Sequence, residues 1–294
     1  AVGWSFSEEP FIKRLTGSWL NWGKIRGSYG KSGQTFTSAY LAHGLMNIMD
    51  RNFFGKTGVT TDKPVSPYLT WEKTNQYDLG LDMDMFNYRL NMKLDYYYKY
   101  TSSLIYDIPI PGSLYTFGAQ VENAMEISNE GLELELQADI LRESAVSWRM
   151  KFNMARNWNR FEKSYSGKDV VDGDGTLLVA GRPLNGLYVW AHRGYYNSDA
   201  EVPRLYKIDG QEIYFNGVAT DGISGAVGNY RLLDLDGDGN PDSYYAGSPL
   251  PLAHGGWVNE LMWKNFDLNV LVNFTIGRKM INNRMGLGFS TQSE

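Results

Sequence analysis

Residues 76–100 read Gln76-Tyr77-Asp78-Leu79-Gly80-Leu81-Asp82-Met83-Asp84-Met85-Phe86-Asn87-Tyr88-Arg89-Leu90-Asn91-Met92-Lys93-Leu94-Asp95-Tyr96-Tyr97-Tyr98-Lys99-Tyr100. Apolar side chains occupy 77, 79, 81, 83 and 85, with polar or small ones between them. Phe86-Asn87 interrupts, and the phase restarts: 88, 90, 92, 94, 96, 98 and 100 are apolar, while Arg89, Asn91, Lys93, Asp95 and Lys99 fill most of the alternate places. A two-residue period sends one class of side chain to each face of a strand. Each run lasts about eleven to thirteen residues, where soluble strands average about five or six and a tilted membrane-crossing strand needs about nine to eleven. Two such strands across a tight turn form the repeating unit of a membrane β-barrel.

The unit recurs. Leu132, Leu134, Leu136, Ala138 and Ile140 alternate with Glu133, Glu135, Gln137 and Asp139. Val146, Trp148, Met150, Phe152 and Met154 alternate with Ser147, Arg149, Lys151 and Asn153. Phe266, Leu268, Val270, Val272, Phe274 and Ile276 alternate with Asp267, Asn269, Asn273 and Thr275, with Leu271 breaking the polar face. A noisier strand covers 20–29. Connections alternate in length: short at 86–87, 141–145 and 264–265, long at 31–68, 101–126 and 159–256. Outer-membrane barrels have short periplasmic turns and long external loops. With the short turns periplasmic, strands 20–30, 88–100, 146–158 and 266–277 rise, and 70–86, 127–140 and 257–264 descend. The segment 159–256 then returns to the side it left, so it holds no barrel strand or an even number. Residues 187–196 and 228–235 are the candidates for an extra pair. The rival reading is a soluble antiparallel sheet with one wet face; strand length and turn alternation separate the two.

Composition agrees. Aromatics make up 14% of the 294 residues, including 20 Tyr and 9 Trp, as girdled barrels require; Tyr77, Tyr88, Trp148 and Trp158 fall near strand ends, where interface aromatics belong. Mean hydropathy is −0.39, which a barrel tolerates because half of each strand faces a polar lumen. No run of about twenty apolar residues exists, which excludes a helical membrane protein. The absence of cysteine excludes disulfides, thiolate metal sites and a cysteine nucleophile. A net charge of −5 without a basic stripe argues against a nucleic-acid partner. The first residues have neither the charged nor the apolar region of a signal peptide.

One motif carries chemistry. Asp234-Leu235-Asp236-Gly237-Asp238-Gly239-Asn240-Pro241-Asp242 places carboxylates at positions 1, 3 and 5 of an EF-hand-type loop, glycine at the sharp turn, the Asn240 carbonyl at 7 and Asp242 at 9. Crowded carboxylates repel without a cation, and Ca²⁺ favours such an oxygen cage. Position 12 is Tyr245 instead of an acid, so weak affinity and a structural role, stapling an external loop, are expected; a solvated acidic turn is the plainer alternative. Asp172-Gly173-Asp174-Gly175 reads as a turn. Gly30-Lys31-Ser32 lacks the first P-loop glycine, since Ile25 stands there. His43, His192 and His254 have no ligand spacing. Glu133 and Glu135, roughly 7 Å apart on one face, continue into Gln137 and Asp139 and belong to a wet wall. Asn273-Phe274-Thr275 is a sequon inside a strand. No catalytic constellation is present, and an enzyme is not expected.

Several phrases together resemble one family. They are the entry Gly3-Trp4-Ser5-Phe6-Ser7-Glu8-Glu9-Pro10-Phe11, the strand Trp22-Gly23-Lys24-Ile25-Arg26-Gly27-Ser28-Tyr29-Gly30, and Leu69-Thr70-Trp71-Glu72-Lys73-Thr74 followed by Leu79-Gly80-Leu81-Asp82. Asn87-Tyr88-Arg89-Leu90, Asp95-Tyr96-Tyr97-Tyr98, Asn129-Glu130-Gly131-Leu132-Glu133 and Lys264-Asn265-Phe266-Asp267-Leu268 continue the order. In that order they are similar to the SusC/RagA-type TonB-dependent transporters of Bacteroidota, over essentially the whole chain. The resemblance implies an all-β, antiparallel 22-stranded barrel of the outer membrane, long extracellular loops, an N-terminal plug and a SusD-like surface lipoprotein. It also implies TonB-driven import of a nutrient, an oligosaccharide or a peptide. No TonB box, plug or final strands are recognised here, so residues 1–294 are expected to be a partial barrel of roughly eight to ten strands, with 159–256 as a long external region. Tyr115, Trp190, Tyr195 and Tyr196 are the loop aromatics placed to stack on sugars, each with ordinary loop packing as its alternative. A soluble calcium-binding, β-rich carbohydrate-binding module is the competing function.

Overall fold

The computed structural model describes residues 1–35, 46–61, 66–110, 119–142, 144–171, 177–195, 197–198, 204–206, 212–214, 230–233, 235 and 242–280. Eight strands form one open antiparallel sheet, each paired with its neighbour in chain order. They are β1 (Val2–Trp4), β2 (Leu20–Gln34), β3 (Glu72–Met85), β4 (Leu90–Pro109), β5 (Ala119–Leu141), β6 (Val146–Lys163), β7 (Ala253–Trp263) and β8 (Phe266–Ile276). Between β1 and β2 lie a 3-10 turn, Phe6–Glu8, and a helix, Pro10–Thr16, begun by a proline whose missing N–H costs nothing at a first turn.

The expected turn alternation holds. β6 pairs directly with β7, Trp257 opposite Phe152 and Leu261 opposite Trp148, so 159–256 adds no strand to this sheet among the described residues. The candidate pair at 187–196 and 228–235 does contain strands, but in a separate unit: His192–Tyr195 pairs with Tyr230–Leu232, and Leu187–Trp190 pairs instead with Ser243–Gly247. The chain divides into one unit of Ala1–Asn185 with Leu250–Arg278, and another of Gly186–Pro249 with Lys279–Glu294.

The expected loop 101–126 is mostly strand. β4 and β5 continue through it as a ladder from Thr101 opposite Ile127 to Pro109 opposite Ala119. The alternation that marks a strand fails there because the ladder is bulged twice, between Thr101 and Leu104 and again between Leu104 and Ile105, with Ser103 at φ 60°. Each bulge shifts the phase by one residue.

Register puts all the alternating apolar residues on one face. Ile25, Leu81, Leu94, Leu134 and Met154 are successive partners across β2 to β6. Ile25, Leu79, Leu132, Trp257, Leu268 and Val272 on this face are exposed, with no second sheet over them among the described residues. The face is bounded by two aromatic rims. One is the row Tyr29, Tyr77, Tyr98, Glu130, Trp158, with ring centroids 4.8 Å apart for Tyr29–Tyr77 and 6.4 Å for Tyr77–Tyr98. The other lies at the short turns, where Trp19 meets Phe86 at 6.4 Å and Trp263 meets Phe266 at 6.2 Å. About ten residues of β5 separate the rims; at about 3.3 Å each and about 45° of tilt they span roughly 24 Å, against about 25 Å for a barrel's apolar band.

Above the upper rim the two faces exchange character. The formerly apolar face carries Ser128, Glu126, Arg160 and Glu162, with Tyr100 donating to Glu126 and Ser128 to Glu162. The opposite face carries Ile127, Met125 and Phe161, the last with no exposed surface. Val170 and Leu178, from the short ladder Val170–Val171 with Leu177–Leu178, close over these with Leu104, Tyr106 and Leu184.

Candidate functional site

The polar face of the sheet is a continuous hydrogen-bonded and charged surface. Arg26 on β2 donates twice to Asp82 on β3, at 2.7 and 2.9 Å, and once to Asp95 on β4, at 2.9 Å. It reaches β4 by lying across Gly80, where a Cβ would stand 2.7 Å from the guanidinium. Tyr97 on β4 uses the same device. It lies across Gly131 of β5, where a Cβ would stand 2.4 Å from the ring, and donates to Asn157 of β6 at 2.9 Å. Ser28 with Asp78, Asn91 with Asp84, Asp139 with Arg149 and Lys151 with Glu260 extend the surface to β7. These pairs are partly exposed, so each contributes little stability alone. Together they fix the positions of charge along a wall that faces water. Glu133 and Glu135 stand on it as the sequence indicates, Glu135 near Lys93 at 3.7 Å.

The second unit contains two consecutive two-stranded ladders that carry the loop aromatics. Leu187–Trp190 pairs with Ser243–Gly247, and His192–Tyr195 pairs with Tyr230–Leu232. Trp190 faces Ser243 and is 54% exposed; Tyr195 and Tyr230 are 51% and 48% exposed. Tyr195 and Tyr230 stack at 4.7 Å, and His192 meets Tyr230 at 4.6 Å. The Tyr195 hydroxyl donates to that of Tyr230 at 3.3 Å, and this hydrogen bond holds its proton above the usual phenol range. Two of the four aromatic candidates, Trp190 and Tyr195, thus lie on two consecutive two-stranded ladders, while Tyr115 and Tyr196 lie outside the described residues. His192 and Tyr230 were not singled out as their companions; the candidate strands at 187–196 and 228–235, of which His192–Tyr195 and Tyr230–Leu232 pair, were the signal that held them.

The same ladders carry the ends of the acidic loop. Ala191 N–H donates to the Asp242 carbonyl at 2.8 Å, Leu233 N–H donates to the Ala191 carbonyl at 2.8 Å, and Asp242 N–H closes onto the Leu233 carbonyl at 2.9 Å. The Asp242 carboxylate accepts the Leu235 N–H. The loop therefore leaves and re-enters the ladders at one point, beside Ala191. Asp234, Asp236, Asp238 and Asn240 lie outside the described residues.

Comparison with known proteins places this geometry. The profile of the family described as TonB dependent receptor-like, beta-barrel, matches residues 2–271. TonB-dependent receptor P26 of Formosa agariphila is 31% identical over 97% of the chain, and TonB-dependent receptor SusC of Bacteroides thetaiotaomicron is 27% identical over 92%. The chain spans 28% and 26% of their lengths. Among solved structures, that of the RagAB peptide transporter superposes with a TM-score of 0.68 over 96% of this chain and 29% of that one, at 22% identity.

Proposed function

The chain belongs to the TonB-dependent receptor β-barrel family, in its SusC/RagA branch in the outer membrane, and from that premise we propose that it supplies wall and extracellular mouth to a nutrient importer. In this reading the complete protein takes up an oligosaccharide or a peptide, with a SusD-like lipoprotein at the surface and TonB supplying energy from the inner membrane. The chain's own residues do no bond chemistry; they line a path. The observation that carries the reading is the exchange of face polarity at the row Tyr29, Tyr77, Tyr98, Glu130, Trp158. Below it the apolar face lies bare for lipid and the charged face lines the lumen. A soluble carbohydrate-binding module would cover its apolar face with a second layer.

Trp190, Tyr195 and Tyr230 are the side chains we assign to cargo contact in the loops, because their rings combine apolar faces with polar edges. The test is uptake by cells carrying the complete transporter, using dye-labelled oligosaccharide and peptide series with and without the proton-motive force. Energy-dependent accumulation of one series supports import. Accumulation unaffected by uncoupler would overturn it.

Ca²⁺ belongs to the same reading as a staple of the external loop, held by Asp234, Asp236 and Asp238, the Asn240 carbonyl and Asp242. It would supply charge neutralisation and order, nothing catalytic. What supports it is the anchoring of Leu233 and Asp242 at one point of the ladders, which fixes the two ends that such a cage needs. Terbium luminescence excited through nearby Tyr and Trp should be displaced by calcium and lost in Asp236→Ala/Asp238→Ala; luminescence unchanged in that variant would reject the assignment.

A further inference from the structure

Residues 164–171 and 177–185 pack on the lumen side of the wall, beyond the upper aromatic rim. The face carrying Ile127, Met125 and Phe161 is, lower down, the face carrying Asp95, Glu133 and Arg149, because each steps by two residues along the same strands. Val170, Leu178 and Leu184 cover these apolar side chains from the inside. Tyr165 stacks on Tyr106 at 6.4 Å. The backbone is tied down as well. Gly181 N–H donates to the Phe161 carbonyl at 2.7 Å, Phe161 N–H donates to the Arg182 carbonyl at 2.9 Å, and Leu184 N–H donates to Asn159 Oδ1 at 3.1 Å. At the near end Gly167 N–H bonds back to Ser164, whose buried hydroxyl donates to the Lys168 carbonyl.

Segments that open and close are drawn from parts of a protein with few buried apolar contacts and exposed backbone hydrogen bonds. This one has a closed apolar core, a fully buried phenylalanine and a reciprocal backbone pair to the edge of β6. We propose that 164–171 and 177–185 form a fixed sill on the inner rim of the mouth, and that it limits the size of cargo that can pass. The inference rests on the import reading for its second half only. A seated sill takes up cross-section in every state of the transporter, whereas a lid would yield to cargo of any size once open.

Two measurements test it in the complete transporter. Hydrogen exchange on the unaltered protein should protect the amides of Phe161, Gly181 and Leu184 as strongly as those of β5 and β6. Exchange of these three at least 100-fold faster than the β5 ladder would overturn the sill. Excision of 170–178 should then lengthen the largest labelled oligosaccharide or peptide taken up at least twofold, while short members enter at rates within twofold of the unaltered transporter. Phe161→Ala, which keeps the segment's length and removes its anchor, should raise the size limit in the same direction. Uptake with an unchanged size limit in both variants would overturn the size-limiting role. If no labelled series enters even the unaltered transporter, the import reading fails, and the exchange result alone decides whether the sill is seated.

Discussion

Gly80 and Gly131 do the same work on neighbouring pairs of strands. Each lacks the side chain that would block a longer one, and each lets a residue of the preceding strand reach the following one, Arg26 to Asp95 and Tyr97 to Asn157. The two glycines differ in what a methyl group would displace. At Gly80 it meets the ends of flexible side chains, which can swing aside; at Gly131 it meets the Tyr97 ring. Gly131→Ala is therefore expected to lower the stability of the barrel by about 1–3 kcal/mol, the usual range for overpacking. Tyr97→Phe, which loses only the hydrogen bond to Asn157, should cost about 1 kcal/mol. The urea midpoint of the refolded transporter measures both, and a Gly131→Ala midpoint unchanged from that of the unaltered protein would show that the ring does not lie over Gly131. The Tyr195–Tyr230 pair is a separate matter of proton affinity. Its raised Tyr195 value means the contact holds below the ordinary phenol range near 10 and is lost as pH rises through the elevated one.

At the scale of elements, the phase of each strand decides everything about its environment. Leu134 and Glu135 are adjacent in sequence and lie on opposite faces of β5. Leu134→Arg should destabilise the membrane-inserted barrel by about 2–4 kcal/mol, the cost of an outward arginine near mid-membrane. Glu135→Arg, facing the lumen, should stay within about 1 kcal/mol. Folding titrations in lipid vesicles compare them, and equal costs would contradict the assigned phase. The same dependence on phase explains what could be read in advance. Between Leu90 and Tyr100 every second residue is apolar and only Tyr97 interrupts the polar set between them, so the strand and its faces were legible. Beyond Thr101 the bulge at Ser103 and the extra residue on β5 shift the phase, so the upper ladder read as loop. The helix Pro10–Thr16 was also missed, because about two turns give too little periodicity. The inward packing of Val170, Leu178 and Leu184 was not visible either, since these apolar residues are scattered and meet Phe161 only through the fold.

At the scale of the whole molecule, the wall is a bilayer device below one row of residues and an ordinary packed protein above it. Below, the apolar side chains point to lipid and the sheet closes no core of its own. Above, they point inward and are covered by the chain's own segment, as in a soluble domain. That division ties together the rims, the long strands and the position of the sill. The aromatic ladders and acidic loop belong to the other unit, and their residues were legible as types and spacings while their partners were not: nothing in the sequence around Ser243 announces that it lies opposite Trp190.

The central claim is that one face of β5 meets lipid and the other meets water. Residues 1–294 contain no cysteine, so single cysteines placed one at a time from 131 to 140, in the complete transporter with any cysteine elsewhere replaced by serine, can be read without background. Membrane-embedded protein is treated with a water-soluble maleimide from both sides. The account predicts labelling at 133, 135, 137 and 139 and protection at 132, 134, 136 and 138, with the protected set quenched by brominated lipid. Uniform labelling along the strand, or the opposite phase, would contradict it.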